Sequence, residues 1–473
     1  MMIQFTILDY IIIVVYFLIA IYIGLKSKNT ENSKVDYLVA GRTLTLPAFV
    51  ATLVSTFYGG VLGVGEFVYT FGISSWFLNA FPYYFFIIIF ALFFASKIKK
   101  TNMFTIPDKL EATYGKSVSL LGAFFIFLLT TPAPYIFMMG ILMQLIFGWS
   151  LLLSVIVSLL VSILFLFKGG LKADVNVNKF EFILMYVGFA VIIPFCFANI
   201  GGLNYLSENL SDLHLDLTGG NSLQYILVWF FIGAWAIVDP SFHQRCYAAK
   251  TEKVARNGVF ISLIFWFIFD MLTLLTGLYA AAYFSNLENP TFAYPVLADA
   301  ILPQGIKALF FLGLIATIMS TLHSYVFVSA STLGNDVFSK ISKWNIKMKG
   351  DKNLYTQAGI LITSIISLLI IFLIPSVVAM WYTIGSLVIP ALLIGVVTSY
   401  SNKLQVEGKF IFFAMLASFF ISLVSFLYGN ININGGYPVY PLNLEPMYPG
   451  LFAGLLIYLT GYLIQRKSKL NNA

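Results

Sequence analysis

Long apolar stretches recur along the whole of this sequence, and they limit its fold more than any other feature. A helix needs about 20 mainly apolar residues to cross a hydrocarbon core that is about 30 Å thick. Thirteen stretches come close to or exceed that length, so the sequence predicts an all-α polytopic membrane protein with about thirteen transmembrane helices. They lie at 7–26, 45–72, 74–96, 117–145, 149–167, 176–198, 223–243, 254–285, 305–335, 356–375, 378–400, 408–428 and 446–465.

The composition excludes an ordinary soluble domain. Charged residues make up 10% of the chain and the mean hydropathy is +0.91, whereas soluble domains carry about 25% charged residues. The first stretch lacks a basic leading segment and a cleavage site, so we expect a retained span and not a signal peptide. The two cysteines do not indicate a disulfide framework.

The basic residues indicate an orientation. If the N-terminus lies outside and thirteen spans alternate, 26 of the 27 basic residues fall on one side, and only Lys307 falls on the other. The loop 199–222 on that other side carries acids and no base. By the positive-inside rule, the sequence predicts a multi-pass protein of the cell (inner or plasma) membrane with its C-terminus in the cytoplasm. The net charge of +7 is thus explained without nucleic acid.

Two predicted spans are interrupted by helix-weakening residues. The span 45–72 contains the string T-F-Y-G-G-V-L-G-V-G-E, with four glycines, and the span 223–243 contains Gly233 and ends in V-D-P-S-F-H-Q-R. The two spans lie five apart, so units of five spans that contain them have opposite orientations, as in inverted-repeat transporters. The alternative is that the glycines only allow close helix packing. The predicted divisions are 1–44 (leading helix and loop), 45–200 and 201–400 (the two repeats), and 401–473 (two trailing helices).

Hydroxyl side chains form a stripe on the ninth span. At 100° per residue they share a sector roughly 80–100° wide. They belong to Thr317, Ser320, Thr321, Ser324 and Ser331. An isolated helical hydroxyl usually bonds a carbonyl of its own helix, but three at one level offer the neutral oxygens that a small hard cation prefers. His323 lies off this stripe, where we expect it to make a helix–helix hydrogen bond.

Four short motifs carry a resemblance to a known family. They are D-Y-L-V-A-G-R-T-L at 36–44, G-G-L-K-A at 169–173, Q-R-C-Y-A-A-K at 244–250 and A-T-I-M-S-T-L at 316–322. In this order and spacing the chain resembles the sodium/solute symporter family (SSS or SSF), which includes bacterial proline, pantothenate and sodium/galactose transporters. The resemblance implies the five-plus-five inverted repeat of the leucine transporter (LeuT) type, with one leading and two trailing helices.

The resemblance also implies a sodium site. In the family, one carbonyl and two adjacent hydroxyls of the eighth core helix bind the ion, and these correspond to Thr317, Ser320 and Thr321. No other cofactor or metal is expected.

Two carbonyls at the break of the first core helix complete the family's site. Counting from Arg42 without a gap gives Ser55 and Tyr58, whereas matching the string at 51–55 gives Ala51 and Val54. We select Ser55 and Tyr58 and leave the second register open.

The chain departs from the family at two places. The aspartate that follows the G-G-L motif in the family corresponds to Asn178, with Glu181 one turn further on. The two residues that hold sugar in the galactose transporter correspond to Trp266 and Ile232, and its gating tyrosine corresponds to Trp235. A sugar substrate is therefore not expected.

Acidic residues inside spans suggest where a solute binds, because such residues are costly there. Glu66 and Asp270 lie within spans, and Asp239 lies near the inner end of the seventh, where it could also cap a helix or pair with Arg245. Aromatic faces and carboxylates attract ammonium groups, so an amine-bearing or neutral solute is favoured. The predicted substrate residues are Glu66, Ile232, Trp235, Trp266 and Asp270, although the two tryptophans could equally serve packing.

These observations predict a sodium-coupled symporter that imports a small organic solute by alternating access. Its expected partners are Na⁺, the solute and the lipid bilayer, and the oligomeric state is left open. One alternative is proton coupling through Glu66, Asp270 or His323, and another is a transporter-like membrane sensor. An enzyme is not expected, because no cluster of residues has catalytic or metal-ligand spacing.

Overall fold

The computed structural model describes residues 3–27, 34–163, 166–338, 340, 354–434 and 437–471. In this part of the chain, helices account for nearly all regular structure. Helices α1 to α23 are, in chain order, Ile7–Lys26, Lys34–Val39, Leu46–Phe57, Val61–Phe71, Phe81–Phe90, Ser96–Thr101, Ile106–Tyr114, Lys116–Leu129, Ala133–Phe147, Leu151–Ile163, Leu166–Asn199, Leu203–Asn209, Asp212–Leu215, Leu223–Ile232, Trp235–Val238, Pro240–Ala248, Glu252–Tyr283, Ala293–Ile301, Ile306–Ser331, Leu354–Leu373, Val377–Ser399, Gly408–Ile431 and Met447–Asn471.

Shorter segments join or extend some of these helices. Two strands, β1 (Ile433–Asn434) and β2 (Tyr437–Pro438), form one antiparallel pair. Single 3₁₀ or π turns occupy Ala40–Arg42, Trp76–Ala80, Ala91–Ala95, Pro290–Phe292, Thr332–Phe338 and Pro441–Asn443.

Eleven helices in the described residues are long and apolar enough to cross a membrane, and the bent pair α3 and α4 makes a twelfth span. Twelve of the thirteen predicted spans are thus confirmed. The remaining one, predicted at 149–167, contains the 13-residue helix α10, and its residues 164–165 lie outside the described part. The predicted cytoplasmic lysines at 343–352 lie outside it as well.

Both predicted interruptions are confirmed. Helices α3 and α4 are bent by 55° at a break that contains Tyr58, Gly59 and Gly60. The seventh span consists of three pieces, α14, α15 and α16, and α16 begins with Pro240 behind the cap residue Asp239. Proline suits the first turn of a helix because its missing N–H has no partner there. Broken backbone of this kind is tolerated at membrane depth only where protein or water surrounds it.

The two broken spans run in opposite directions. Leu44, just before α3, pairs with Ala249, just after α16, in a parallel bridge. The amide of Leu44 donates to the carbonyl of Ala248 at 3.0 Å, and the amide of Lys250 donates to the carbonyl of Leu44 at 2.9 Å. The second span therefore starts on the side of the protein where the seventh span ends, as an inverted repeat requires.

Helix α19 forms the centre of the protein, because its apolar window is completely buried. It approaches α11 closely at two glycines: a Cβ atom on Gly188 would lie 2.6 Å from the Cα of Gly313. By contrast, the spans formed by α1 and α23 are each only 28% buried and lie at the periphery. The hydroxyl stripe of α19 is thus inside the protein and does not face lipid.

Candidate functional site

The hydroxyls of Ser320 and Thr321 meet the end of α3. Ser320 Oγ lies 2.9 Å from the carbonyl oxygen of Ser55 and 2.8 Å from that of Thr317. Thr321 Oγ1 lies 3.3 Å from the carbonyl of Ser55 and 2.6 Å from that of Thr56. Four of the five predicted sodium ligands therefore converge at one place, and the carbonyl of Thr56, which the sequence did not single out, joins them.

The carbonyls of the other register have other partners. Val54 accepts the indole N–H of Trp266 at 3.2 Å, and the carbonyl of Ala51 accepts the hydroxyl of Ser55 at 2.9 Å. Tyr58, the fifth predicted ligand, follows the last residue of α3. Its hydroxyl donates to Asp270 Oδ1 at 2.5 Å, so its side chain points to α17.

The two glycines of the break allow this close approach. A Cβ atom on Gly59 would lie 2.0 Å from Thr321 Oγ1, and one on Gly60 would lie 2.1 Å from the ring of Trp381. Real Cβ atoms do not come so close to other atoms, so any side chain here would displace α3 from α19 or α21. The glycines therefore serve tight packing as well as the break.

A buried ion pair lies beside these hydroxyls. Arg245 Nη2 donates to Asp174 Oδ2 at 2.7 Å, to Ser324 Oγ at 2.9 Å and to Thr56 Oγ1 at 2.9 Å, and the side chains of Arg245 and Asp174 are both completely buried. Asn178 reaches the same hydroxyl of Thr56 at 3.1 Å. Arg245, counted in the sequence among the cytoplasmic charges, is thus inside the protein.

This cluster shows an acid that the sequence analysis missed. The family's aspartate is replaced by Asn178, and an acid lies one turn earlier, at Asp174. Glu181, the acid one turn after Asn178, contacts a different helix, because it accepts the hydroxyl of Tyr16 on α1 at 2.8 Å. The four-residue spacing of Asp174 and Asn178 on one helix face was the available signal.

Asp239 caps a helix, as one of its interpretations predicted. Its Oδ1 accepts the amide of Ser241 at 2.7 Å, and its Oδ2 accepts the hydroxyl of Tyr325 at 2.6 Å. A direct ion pair with Arg245, which the sequence also allowed, is not seen among the described residues, where Arg245 pairs with Asp174.

A cavity opens beside the break. Trp235, Trp266 and Asp270, three of the five predicted substrate residues, line it. Glu66 and Ile232 are not in its lining. The carboxylate of Glu66 accepts hydroxyls from Thr291 and Ser376 at 3.2 and 3.0 Å, and Ile232 packs against Gly385.

Aromatic rings dominate the cavity wall. They come from both broken spans and from five further elements, and they belong to Phe57, Tyr58, Tyr83, Tyr84, Tyr135, Trp229, Trp235, Trp266, Tyr325 and Trp381. Asp270 is the one charged side chain among the lining residues that the structure describes. Each of its oxygens accepts a tyrosine hydroxyl, one from Tyr58 and one from Tyr84. Within the described part of the chain, no group of three or more His, Cys, Asp or Glu residues could hold a metal ion.

A pair of broken spans of opposite direction beside a central cavity is typical of secondary transporters. The family can be named more closely. The profile of the sodium:solute symporter family matches residues 37–417, and the chain belongs to that family. The resemblance drawn from the four motifs is confirmed.

Curated relatives are similar over most of the chain. The high-affinity choline transporter 1 of Drosophila melanogaster is 25% identical, covering 94% of this chain and 72% of its own length. The sodium-coupled monocarboxylate transporter 2 of Mus musculus is 23% identical, covering 89% and 73%. An uncharacterized symporter of Escherichia coli K12, YidK, is 25% identical, covering 67% and 60%. All three relatives are named as transporters or symporters.

Solved structures share the fold. A Na⁺-coupled sialic acid symporter in a substrate-bound outward-open state superimposes with a TM-score of 0.80 at 15% identity, covering 97% of this chain and 98% of that one. Mhp1, a nucleobase-cation-symport-1 family transporter, gives 0.59 at 12% identity, covering 91% and 95%. The predicted LeuT-type fold is confirmed, and family membership supports sodium-coupled transport of a solute across a membrane.

Proposed function

We propose that this protein is a symporter that imports a small organic solute, amine-bearing or neutral and not a sugar, together with Na⁺. One observation carries the proposal. The adjacent hydroxyls of Ser320 and Thr321, on a fully buried helix, meet backbone carbonyls at the break of α3. Neutral oxygens from a broken helix and from its neighbour are what a buried Na⁺ requires.

The proposed sodium ligands are Ser55, Tyr58, Thr317, Ser320 and Thr321. The register with Ser55 is supported by the 2.9 and 3.3 Å approach of the two hydroxyls to its carbonyl. The register with Ala51 and Val54 lacks this support, because the carbonyl of Val54 accepts the indole N–H of Trp266. When an ion binds between these oxygens, each hydroxyl keeps its proton but rotates it away from the carbonyls. A lone pair of the hydroxyl oxygen then faces the ion.

The residues between sodium site and cavity provide the coupling. Tyr58 lies two residues after Thr56, whose carbonyl bonds Thr321, and its own hydroxyl bonds Asp270 in the cavity wall. An ion that fixes the end of α3 therefore also fixes one wall of the solute site. An inward potential adds about 2.3 kcal/mol per charge per 100 mV to uptake.

The cavity chemistry supports the proposed class of solute. Relatives are named for choline and for monocarboxylates, which carry opposite charges. Among the described lining residues there is an aspartate but no lysine or arginine to hold a carboxylate. Trp266 and Ile232 correspond to the two residues that hold sugar in the galactose transporter, so those two sugar contacts are not expected in this chain.

We also propose that the N-terminus lies outside the cell membrane and the C-terminus inside. The proposal rests on the distribution of basic residues: without the buried Arg245, 25 of the remaining 26 fall on one side.

The sodium site is tested with Ser320→Ala and Thr321→Ala. Binding of radioactive sodium to the purified protein needs no knowledge of the solute. A polar ligand to a charge contributes about 1.5–3 kcal/mol, so each variant should raise the half-saturating sodium concentration about tenfold or more. Ser331→Ala is the matched control. The Ser331 hydroxyl is also buried on α19, but it donates to the carbonyl of Phe327 in the same helix, at 2.5 Å. Unchanged sodium binding in both site variants would rule out the proposed ligands.

A further inference from the structure

The aromatic cavity indicates a more specific solute, on the premise that the cavity is the solute site of the proposed symporter. We propose that it binds a monovalent organic cation whose ammonium group is fully methylated (quaternary). The rings, the single carboxylate and one unbonded indole N–H each support a different part of this proposal.

Rings from several helices line the cavity and pack against one another. The ring of Phe57 lies 5.1 Å from that of Tyr83 and 5.2 Å from that of Trp266, measured between centroids. Trp235 on α15 and Trp381 on α21 add rings from two further helices. A cation over the face of an aromatic ring is attracted by the ring quadrupole, and cages of several rings bind methylated ammonium groups.

The carboxylate supplies the charge but little contact. Asp270 is 8% exposed, and each of its oxygens already accepts a tyrosine hydroxyl. Tyr84 is in turn bonded by the indole N–H of Trp76 at 3.3 Å, which fixes its ring beside the cavity. The carboxylate therefore attracts a solute by its negative charge and not by a direct hydrogen bond. This charge favours a cation over a neutral or anionic solute.

The hydrogen-bonding state of Asp270 distinguishes between ammonium groups. A primary ammonium brings three N–H donors, each of which needs an acceptor once it leaves water. A fully methylated (quaternary) ammonium brings none and can lie directly against ring faces. A wall of rings whose carboxylate already accepts two hydroxyls thus favours the quaternary group.

Trp235 indicates a polar end of the solute. Its indole N–H is buried and has no hydrogen-bond partner among the residues that the structure describes, although the side chain lines the cavity. A buried donor without a partner costs about 1–3 kcal/mol. A short tail with an acceptor oxygen, such as a hydroxyl, would bond this group.

The test compares four probes that differ in one property each. Choline carries the methylated cation and a hydroxyl, 3,3-dimethylbutan-1-ol is its neutral isostere, ethanolamine is the primary amine, and glycine betaine is the zwitterion. With sodium present, thermal stabilisation of the purified protein should place the half-effective concentration of choline at least tenfold below that of the other three. Equal effects of choline and dimethylbutanol, tighter binding of ethanolamine or betaine, or no effect of choline would overturn the proposal.

Variants separate this inference from the proposed function. Trp235→Leu should weaken choline at least tenfold, whereas Trp235→Phe, which keeps a ring but not the N–H, should weaken it much less. Trp149→Leu is the control, because Trp149 stacks on Phe147 away from the cavity. Sodium binding without any choline effect would overturn the inference and leave the symporter proposal standing. Choline binding without sodium binding would support the cavity assignment and contradict the proposed coupling.

Discussion

At the scale of single residues, the pair Arg245 and Asp174 shows how a charge is kept inside a membrane protein. Neither side chain is exposed, and Nη2 of Arg245 lies within 3.3 Å of the hydroxyls of Thr52, Thr56 and Ser324, whereas its Nε has no hydrogen-bond partner among the described residues. Desolvation makes such a pair costly unless the bonding is nearly complete. Side chains from three helices, α3, α11 and α19, thus contact Arg245 of α16, next to the proposed sodium ligands.

Removing one member of the pair should destabilise the protein strongly. Asp174→Asn leaves Arg245 charged and buried without its counter-ion, which costs about 3–5 kcal/mol. Chemical denaturation of the purified protein measures the loss. Lys100→Gln, which breaks an exposed pair with Glu252, is the control and should cost no more than about 1 kcal/mol. The double variant with Asp174→Leu and Arg245→Met should be more stable than the sum of the two single variants predicts, because no unpaired charge remains buried. If the loss of stability in the double variant equals the sum of the losses in Asp174→Leu and Arg245→Met, this account is contradicted.

At the scale of elements, the break between α3 and α4 is where local sequence and long-range packing agree. Glycines at 59 and 60 weaken the helix, and the same missing side chains let Thr321 and Trp381 approach. From the sequence alone, these glycines could either break the helix or allow close packing. The structure shows both, because a broken helix still has to pack against its neighbours.

Gly59→Ala should damage the proposed sodium site without changing a ligand. The new Cβ would meet Thr321 Oγ1 at 2.0 Å, so the hydroxyl must move away from the α3 carbonyls. We expect sodium affinity to fall at least as far as in Thr321→Ala. Gly202→Ala provides the comparison, since a Cβ there meets nothing within 4 Å. Sodium affinity that is the same in the two glycine variants would argue against the close approach.

At the scale of the whole molecule, orientation follows from charge and not from packing. The proposed topology is tested by single cysteines on a background without the two native ones, which are both buried. Glu208→Cys and Lys403→Cys are each at exposed positions. A maleimide that cannot cross membranes should label the first in intact cells and the second only after permeabilisation. Labelling in the reverse pattern would invert the proposed orientation.

The sequence by itself determined the class of fold, the broken spans and the hydroxyl half of the proposed site. These features depend on local properties: apolar length, glycine and proline, and the i, i+3, i+4 relation that puts Ser320 and Thr321 near Thr317. The division into residues 45–200 and 201–400 stays a prediction.

Only the tertiary structure decided which distant groups meet. Asp174 and Arg245 are 71 residues apart, and Tyr58 and Asp270 are 212 apart. Their pairing depends on how α3, α11, α16, α17 and α19 pack, and no spacing in the sequence encodes it. The same packing places Glu66 outside the cavity and Trp381 inside it. The residue type determines which bonds a side chain can form, but only the fold determines which partner lies close enough to form them.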